Sequence, residues 1–359
     1  MLPLLPYPRR AVAVLAASWA MCLASPVQAQ TGCADPVPED QWSTLAPLAT
    51  DAMMLDVVKA GESFFAVGDR GYVVFSEDNG RSWTQQVTPT RSLLTAAWFA
   101  DRQLGWAVGH DAVILRTTNG GDTWCRVHWA PELEQPLFDV WFADEDNGIA
   151  IGAYGFFLRT SDGGDSWTQV TFEPGDLATE EAGDEAAADE GEEDWDEDFN
   201  LAGDFHLNKI IVAGDKRLFI AAEAGHLYRS RDGGRNWVEL PSPYDGSFFS
   251  GIYLGGDSVL AFGLRGNVFR TDDAGRNWRR ISMPADRSLF GGGRLNDGSV
   301  LLLGASGVML VSREGESFRL VQRPDRKMLM TFQPTDDDGI VLVGEPGVER
   351  IERSELAQP

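Results

Sequence analysis

The residues of this 359-residue chain that could do chemistry first present themselves as a set of aspartates. Asp78, Asp162, Asp232 and Asp273, with Asn119 in the matching place, sit inside one nine-residue phrase. It reads FSEDNGRSW ending at Trp83, RTTNGGDTW at Trp124, RTSDGGDSW at Trp167, RSRDGGRNW at Trp237 and RTDDAGRNW at Trp278, with a worn copy, VSREGESF, ending at Phe318. Such carboxylates could ligate a metal or pass a proton. A catalytic centre needs its groups within reach of one another, whereas a residue that recurs once per repeat is spread around an assembly. The phrase suits a turn better: Asp accepts backbone N–H groups, Gly takes positive φ, and the closing Trp folds back over its hairpin.

Other chemistries find less support. His110, His128, His206 and His226 show no metal-ligand spacing. The glycines of LFGGGRLNDG lack the Lys-Ser/Thr of a phosphate loop. There is no Gly-x-Ser-x-Gly elbow, and no Cys adjoins a His motif. No metal or cofactor is expected. The net charge of −25 argues against nucleic acid and anionic lipid as partners. More than half of it lies in residues 173–198, which hold 14 acidic residues and no basic one.

The elements that must position these residues follow from the repeat. The closing aromatics are 41, 43, 70, 41 and 40 residues apart, the 70 being one repeat plus the acidic insertion. Each unit reads as four short strands, as in LFDVWFADEDNGIAIGAYGFFLRTSDGGDSW, which is a propeller blade rather than a solenoid coil. The expected architecture is all-β: a seven-bladed β-propeller over residues 41–353. A seventh unit begins at LMTFQPTDDDGIVLVGEPGVERI without reaching its Trp. An N-terminal strand around Trp42 is expected to complete that blade and remove its open edge. Residues 173–200 are expected to be a disordered acidic insertion between blades 3 and 4, and 354–359 a tail.

Residues 1–29 read as a secretory signal, with Arg9 and Arg10 before the apolar AVAVLAASWAMCLA and a cleavage site at Val27-Gln28-Ala29. Gly32 before Cys33 admits a lipoprotein, but Gln30 stands where a lipidation signal has an aliphatic residue, so simple cleavage is expected. Residues 30–40 form a short N-terminal segment. The product is expected to be exported, periplasmic or extracellular, monomeric and without a membrane span. Cys33 and Cys125 could pair in an oxidising compartment, or stay apart; their spacing does not decide.

Strand alternation places the loops between strands 2 and 3 on one face with the connections between blades. That face gathers Asp69, Arg70, His110, Asp111, Tyr154, Glu223, Arg265, Ser306 and Glu345, joined by Arg91, Tyr244, Asp245, Arg287, Arg326 and Lys327. Arg91, Arg287 and Arg326 are equivalent in their blades and could form a basic patch or stand as solvated loop residues. A second series, Arg116, Arg159, Arg229 and Arg270, precedes the aspartate turns of blades 2 to 5, with Phe75 and Val311 in its place in blades 1 and 6.

The phrase resembles the Asp-box, or bacterial neuraminidase repeat. The blade-long pattern, with Gly-x-x-Gly before the third strand and Arg-Ser/Thr at the turn, resembles the photosystem II stability/assembly factor family over nearly the whole mature chain. The resemblance implies a propeller that binds a membrane protein or membrane protein complex, and it associates repeat arginines with the partner-binding patch. A blander role for the second series is to bridge neighbouring blades. Sialidases also carry Asp-boxes, so a carbohydrate-active propeller, hydrolase or lectin, is the alternative. No persuasive Tyr–Glu pair or Phe/Tyr-Arg-Ile-Pro segment supports it, and Glu223, Glu345 and Asp111 are candidate carboxylates by position only. The reading favoured is a non-enzymatic interaction scaffold.

Overall fold

The computed structural model describes residues 33, 36–177, 205–214 and 216–357. The signal reading and most of the acidic insertion lie outside the described residues.

Seven sheets, antiparallel but for one added strand in blade 4, follow one another along the described residues. Blade 1 is typical: Met54–Ala60, Ser63–Gly68, Val73–Ser76 and Thr84–Gln86, paired in that order. The first strands of successive blades touch in a closed circuit that returns from Leu329–Pro334 of blade 7 to Met54–Ala60 of blade 1. They therefore form the inner ring of a seven-bladed propeller. Second strands such as Gly105–Gly109, Leu218–Ala222 and Val300–Gly304 are buried at every position. Their unbroken apolar runs, GWAVG, LFIAA and VLLLG, fit strands covered on both faces by neighbouring blades.

The nine-residue phrase is joinery. In blade 1 Asp78 accepts the N–H groups of Arg81 and Ser82 at 3.0 and 2.8 Å, while Ser76 donates to it and accepts from Gly80. Trp83 Nε1 donates to the Gly80 carbonyl. The turn also docks on the preceding blade. Gly164 has φ +81, and a Cβ there would lie 2.5 Å from Nε1 of Trp106, in the second strand of blade 2. Trp106 in turn donates to the Gly163 carbonyl. Glycine is thus required twice, by dihedral and by contact.

Two expectations meet corrections, the first at the seam of the ring. Among the described residues blade 7 has three strands, Leu329–Pro334, Gly339–Gly344 and Gly347–Glu352, and the described N-terminal segment does not add a fourth. The segment around Trp42 is drawn onto blades 1 and 2 instead. Ser43 N–H donates to Thr88, Arg91 Nε to the Trp42 carbonyl and Arg126 Nη1 to Gln41, and Cys33 is disulfide-bonded to Cys125 in the outer strand of blade 2. The resulting strap crosses blade 1 and reaches blade 7, where its turn Ala49–Asp51 meets Gly347–Glu352. The insertion, for its part, opens with an ordered pair: Gly175–Asp176 adds as a fifth, parallel strand beside Val238–Glu239 of blade 4.

Candidate functional site

The loop face is built from one turn used six times. Between strands 2 and 3 of blades 1 to 6, the second residue after the last residue of strand 2 is left-handed: Arg70, Asp111, Tyr154, Ala224, Arg265 and Ser306, with φ of 52 to 58°. The residue before each anchors the turn by donating its N–H to the carbonyl just ahead of, or near, its own blade's first strand, as His110 does to Leu93, Glu223 to His206 and Leu264 to Ser247. Non-Gly residues in this region are uncommon, and six in register hold a rigid ring of tips. Blade 7 departs: Glu345 and Pro346 form a two-residue hairpin between Gly344 and Gly347. In blade 4 it is Ala224, one residue past Glu223, that forms the tip.

Several cations on this face stand beside carboxylates or carbonyls. Arg70 lies 3.5 Å from Asp69, Arg287 lies 3.2 Å from Asp286, and Arg91 is held by the strap. Arg265 is exposed and donates its backbone N–H to Ser288. It borders a hollow of about 620 Å³ that also includes Arg280, Met283 and Asp286. Arg326 and Lys327 are exposed beside Asp325, which accepts the Lys327 N–H. The three carboxylates considered for glycosidic chemistry are each engaged on a different blade: Asp111 by Ser92, Glu223 by the His206 N–H, Glu345 by the Met328 N–H.

One group of expected residues does come together. Tyr154, 57 % exposed, donates its N–H to Nδ1 of His206 at 3.1 Å, and its ring stands edge-on 4.7 Å away. The Glu223 carboxylate lies 3.8 Å from the same Nδ1. Phe138 flanks the same imidazole at 5.6 Å.

Sequence reasoning missed the mouth of the central channel. The first strand of every blade carries a register shift at its second residue: Leu55, Thr95, Phe138, Asn208, Phe249, Phe290 and Met330. A bulge re-aims the side chain it contains, and all seven are half-buried at the inner ring. Thr95 and Asn208 hydrogen-bond to the next blade, at Leu137 and Phe248. The other five are apolar, and Phe249 stacks on Phe290 at 5.7 Å. The signal was available as apolar doublets at strand starts, Met54-Leu55, Leu137-Phe138, Phe248-Phe249, Leu289-Phe290 and Leu329-Met330, which break alternation. One residue further along lies an ionic group. Lys209 Nζ is 2.9 Å from Asp139, and Asp56 accepts the N–H groups of Val57 and Ala97. Burial raises the Asp56 carboxyl, an effect that Lys209 partly offsets. Burial pulls Lys209 down, but Asp139 and Asp56 outweigh it and hold the ammonium well above its ordinary range.

The second arginine series is placed elsewhere, between blades at the turn end. Arg116 reaches Asp165, Arg159 the carbonyls of Gly234 and Arg235, buried Arg229 the carbonyl of Ala274, and Arg270 that of Glu314, each in the next blade's turn. Arg350 extends the series across the seam to Asn79 in the turn of blade 1. Val311 faces blade 7, which has no such turn to hold, and Phe75 packs its ring against Phe65. Among the described residues no group of three or more His, Cys, Asp or Glu could hold a metal ion, and no helix is long and apolar enough to cross a membrane.

The family model for photosynthesis system II assembly factor YCF48 matches residues 34–134, 83–189 and 129–340. The chain belongs to this family. Its fold is similar to that of YCF48 bound to D1 peptide, with TM-score 0.63 and 16 % identity over 86 % of this chain and 95 % of that one. It is similar also to YCF48 from Cyanidioschyzon merolae, with TM-score 0.62 and 16 % identity over 88 % and 99 %. A virginiamycin B lyase from Staphylococcus aureus shares the propeller at TM-score 0.64 and 10 % identity over 86 % and 97 %. At that identity the likeness is one of fold. No curated protein sequence matches the chain. Membership places the chain among assembly-factor, protein-interaction propellers.

Proposed function

We propose that this propeller is a non-catalytic scaffold that receives an extended segment of a membrane protein, or membrane protein complex, on its loop face, outside the cytoplasm. The observation that carries the reading is the channel mouth. Leu55, Phe138, Phe249, Phe290 and Met330 are apolar and half-buried within a ring of fixed tips, beside loop residues of both charges. Apolar anchors at the centre and a polar rim are the anatomy of a protein-binding surface. Pre-set turns lower the ordering cost of association. Arg70, Arg265, Arg287 and Arg326 can then select polar or acidic partner residues at the rim. The Cys33–Cys125 bond supports an oxidising compartment and so the export reading. A YCF48 with D1 peptide bound gives the family precedent for a membrane-protein partner.

The test is affinity capture from solubilised envelope membranes with three proteins. These are the wild type, Phe249→Asp with Phe290→Asp, and Arg70, Arg265, Arg287 and Arg326 all changed to Glu. A membrane protein retained by wild type and lost with the Phe pair supports the reading. Loss with the Arg set alone would move the contact to the rim. Equal recovery by all three would reject the loop face.

A further inference from the structure

The unfinished seventh blade offers a second, different contact. We propose that its outer edge, Gly347–Glu352, accepts an extended segment of a partner protein as the missing fourth strand, adding antiparallel through main-chain hydrogen bonds.

In the other six blades the third strand pairs on its outer side with a fourth, as Val308–Ser312 does with Arg319–Gln322 in blade 6. In blade 7, among the described residues, Gly347–Glu352 pairs with Gly339–Gly344 alone. Matching the second-strand partners, Leu303 to Met309 and Val343 to Val348, aligns Val348 with Met309 and Arg350 with Val311. Met309 and Val311 face Val321 and Arg319 of the blade 6 outer strand. In blades 3 and 4 the carbonyls equivalent to that of Val348, on Phe157 and Leu227, accept from Val170 and Leu240. Val348 and Arg350 thus turn outward the main-chain groups that a fourth strand would use. Among the described residues none takes them up, and Val348 and Glu349 are half-exposed where their blade 1 counterparts Val73 and Val74 are fully buried. An edge of this kind is a template for strand addition.

The surroundings fit an apolar occupant. The strap beside this edge turns Ala46, Ala49 and Ala52 inward, into the cluster that includes Val348, and leaves Leu45 and Leu48 68 and 69 % exposed. Leucines out and alanines in is the reverse of what an isolated strap needs, and it leaves apolar area for a partner to cover. The chain's own candidate for the position, the segment at Trp42, is held on blades 1 and 2 by Arg91, Arg126 and the disulfide. A second copy is disfavoured by charge. Two-fold pairing centred on the middle of this strand sets Glu349 against Glu349, or Arg350 against Arg350, of the other copy, and like charges directly opposite destabilise a sheet. The occupant is therefore a partner segment of about four to six residues, free of proline at the pairing positions, with apolar residues at alternate places, as in the outer strands it imitates.

Blade 6 supplies the probe: a synthetic peptide of residues 315–324, GESFRLVQRP. Backbone amide exchange of the full mature chain is measured with and without it, and binding is titrated by fluorescence anisotropy. The free chain should exchange Val348 and Arg350 fast, and saturating peptide should slow both at least tenfold. The same peptide with Val321→Pro lacks the donor opposite Val348 and should bind at least tenfold more weakly. The surface variant Leu45→Asp with Leu48→Asp, which leaves the blades untouched, should weaken the parent peptide severalfold. Slow exchange of both amides in the free chain would overturn the proposal, because its own residues would already cover the edge. Equal binding of parent and proline peptides, or protection confined to the channel mouth, would overturn it as well.

Discussion

At the turn end of the ring, Arg159 gives its guanidinium to the carbonyls of Gly234 and Arg235 in the next blade, and Arg229 is buried doing the same for Ala274. At the loop end, Arg70 and Arg265 stand exposed on left-handed tips, and Phe249 and Phe290 stack half-buried at the inner ring. The same residue type joins blades at one end and meets solvent at the other. The difference lies in periodicity. Residues that repeat with the blade, the aspartates, glycines and second-series arginines, are occupied by the ring itself. Tip residues change identity from blade to blade, Arg, Asp, Tyr, Ala, Arg, Ser, as befits an asymmetric surface.

Substitutions at the two ends should therefore differ sharply in stability. The largest effect is expected for Gly164→Val, which puts a β-branched residue at φ +81 against Trp106. Strain and overpacking together should cost on the order of 4 kcal/mol in denaturant unfolding. Next comes Lys209→Ala, which leaves Asp56 and Asp139 at the inner ring without their cation. The loss should be on the order of 3 kcal/mol, tempered because the Lys209 side chain is 36 % exposed. Asp139→Asn in the same background should restore part of it, and failure to do so would remove the ion cluster from the account.

Acid offers a sharper comparison within the turn end. Hydrogen bonds from Ser82 and Ser166 hold the Asp78 and Asp162 carboxyls down to about 2, from an ordinary 3.8. With the folded value depressed, their contribution is complete above the ordinary value and disappears as pH falls toward 2. The blade 2 turn has Asn119, which accepts the Thr123 N–H at 3.0 Å without a titrating group. Amide exchange at pH 2.5 should therefore open the turns of blades 1 and 3 before that of blade 2. Simultaneous opening would show that the aspartate charge is not what secures them. The smallest effects belong to the loop end, where Arg70→Ala and Tyr154→Ala should each change unfolding free energy by less than about 0.5 kcal/mol.

Most of this fold was legible because each blade restates the same strand and turn chemistry: spacing gives six blades, and the strand pattern after Leu329 the seventh. The seam was not. Whether Trp42 pairs with blade 7 or is drawn onto blades 1 and 2 depends on Arg91, Arg126 and Cys125, contacts that no local pattern encodes. The site was legible in part. Gly-x-x-Gly located the tips, but Ala224 rather than Glu223 is the tip of blade 4, because only φ distinguishes neighbours in a turn. The channel mouth escaped because a bulge shifts alternation by one residue, and its apolar doublets look like ordinary strand starts. Arg350 escaped because the shorter hairpin of blade 7 puts it one residue closer in sequence to Gly344 than Arg116 is to Gly109, although the two share a ladder position.

The most direct test of the division between a binding end and a structural end is site-specific photo-crosslinking in intact envelopes. A photoreactive residue replaces Tyr154 on the loop face in one protein and exposed Asp165 in the blade 3 turn in another. The account predicts a discrete membrane-protein adduct from position 154 and none from 165. An adduct from 165 alone would contradict it and move the interface to the aspartate turns.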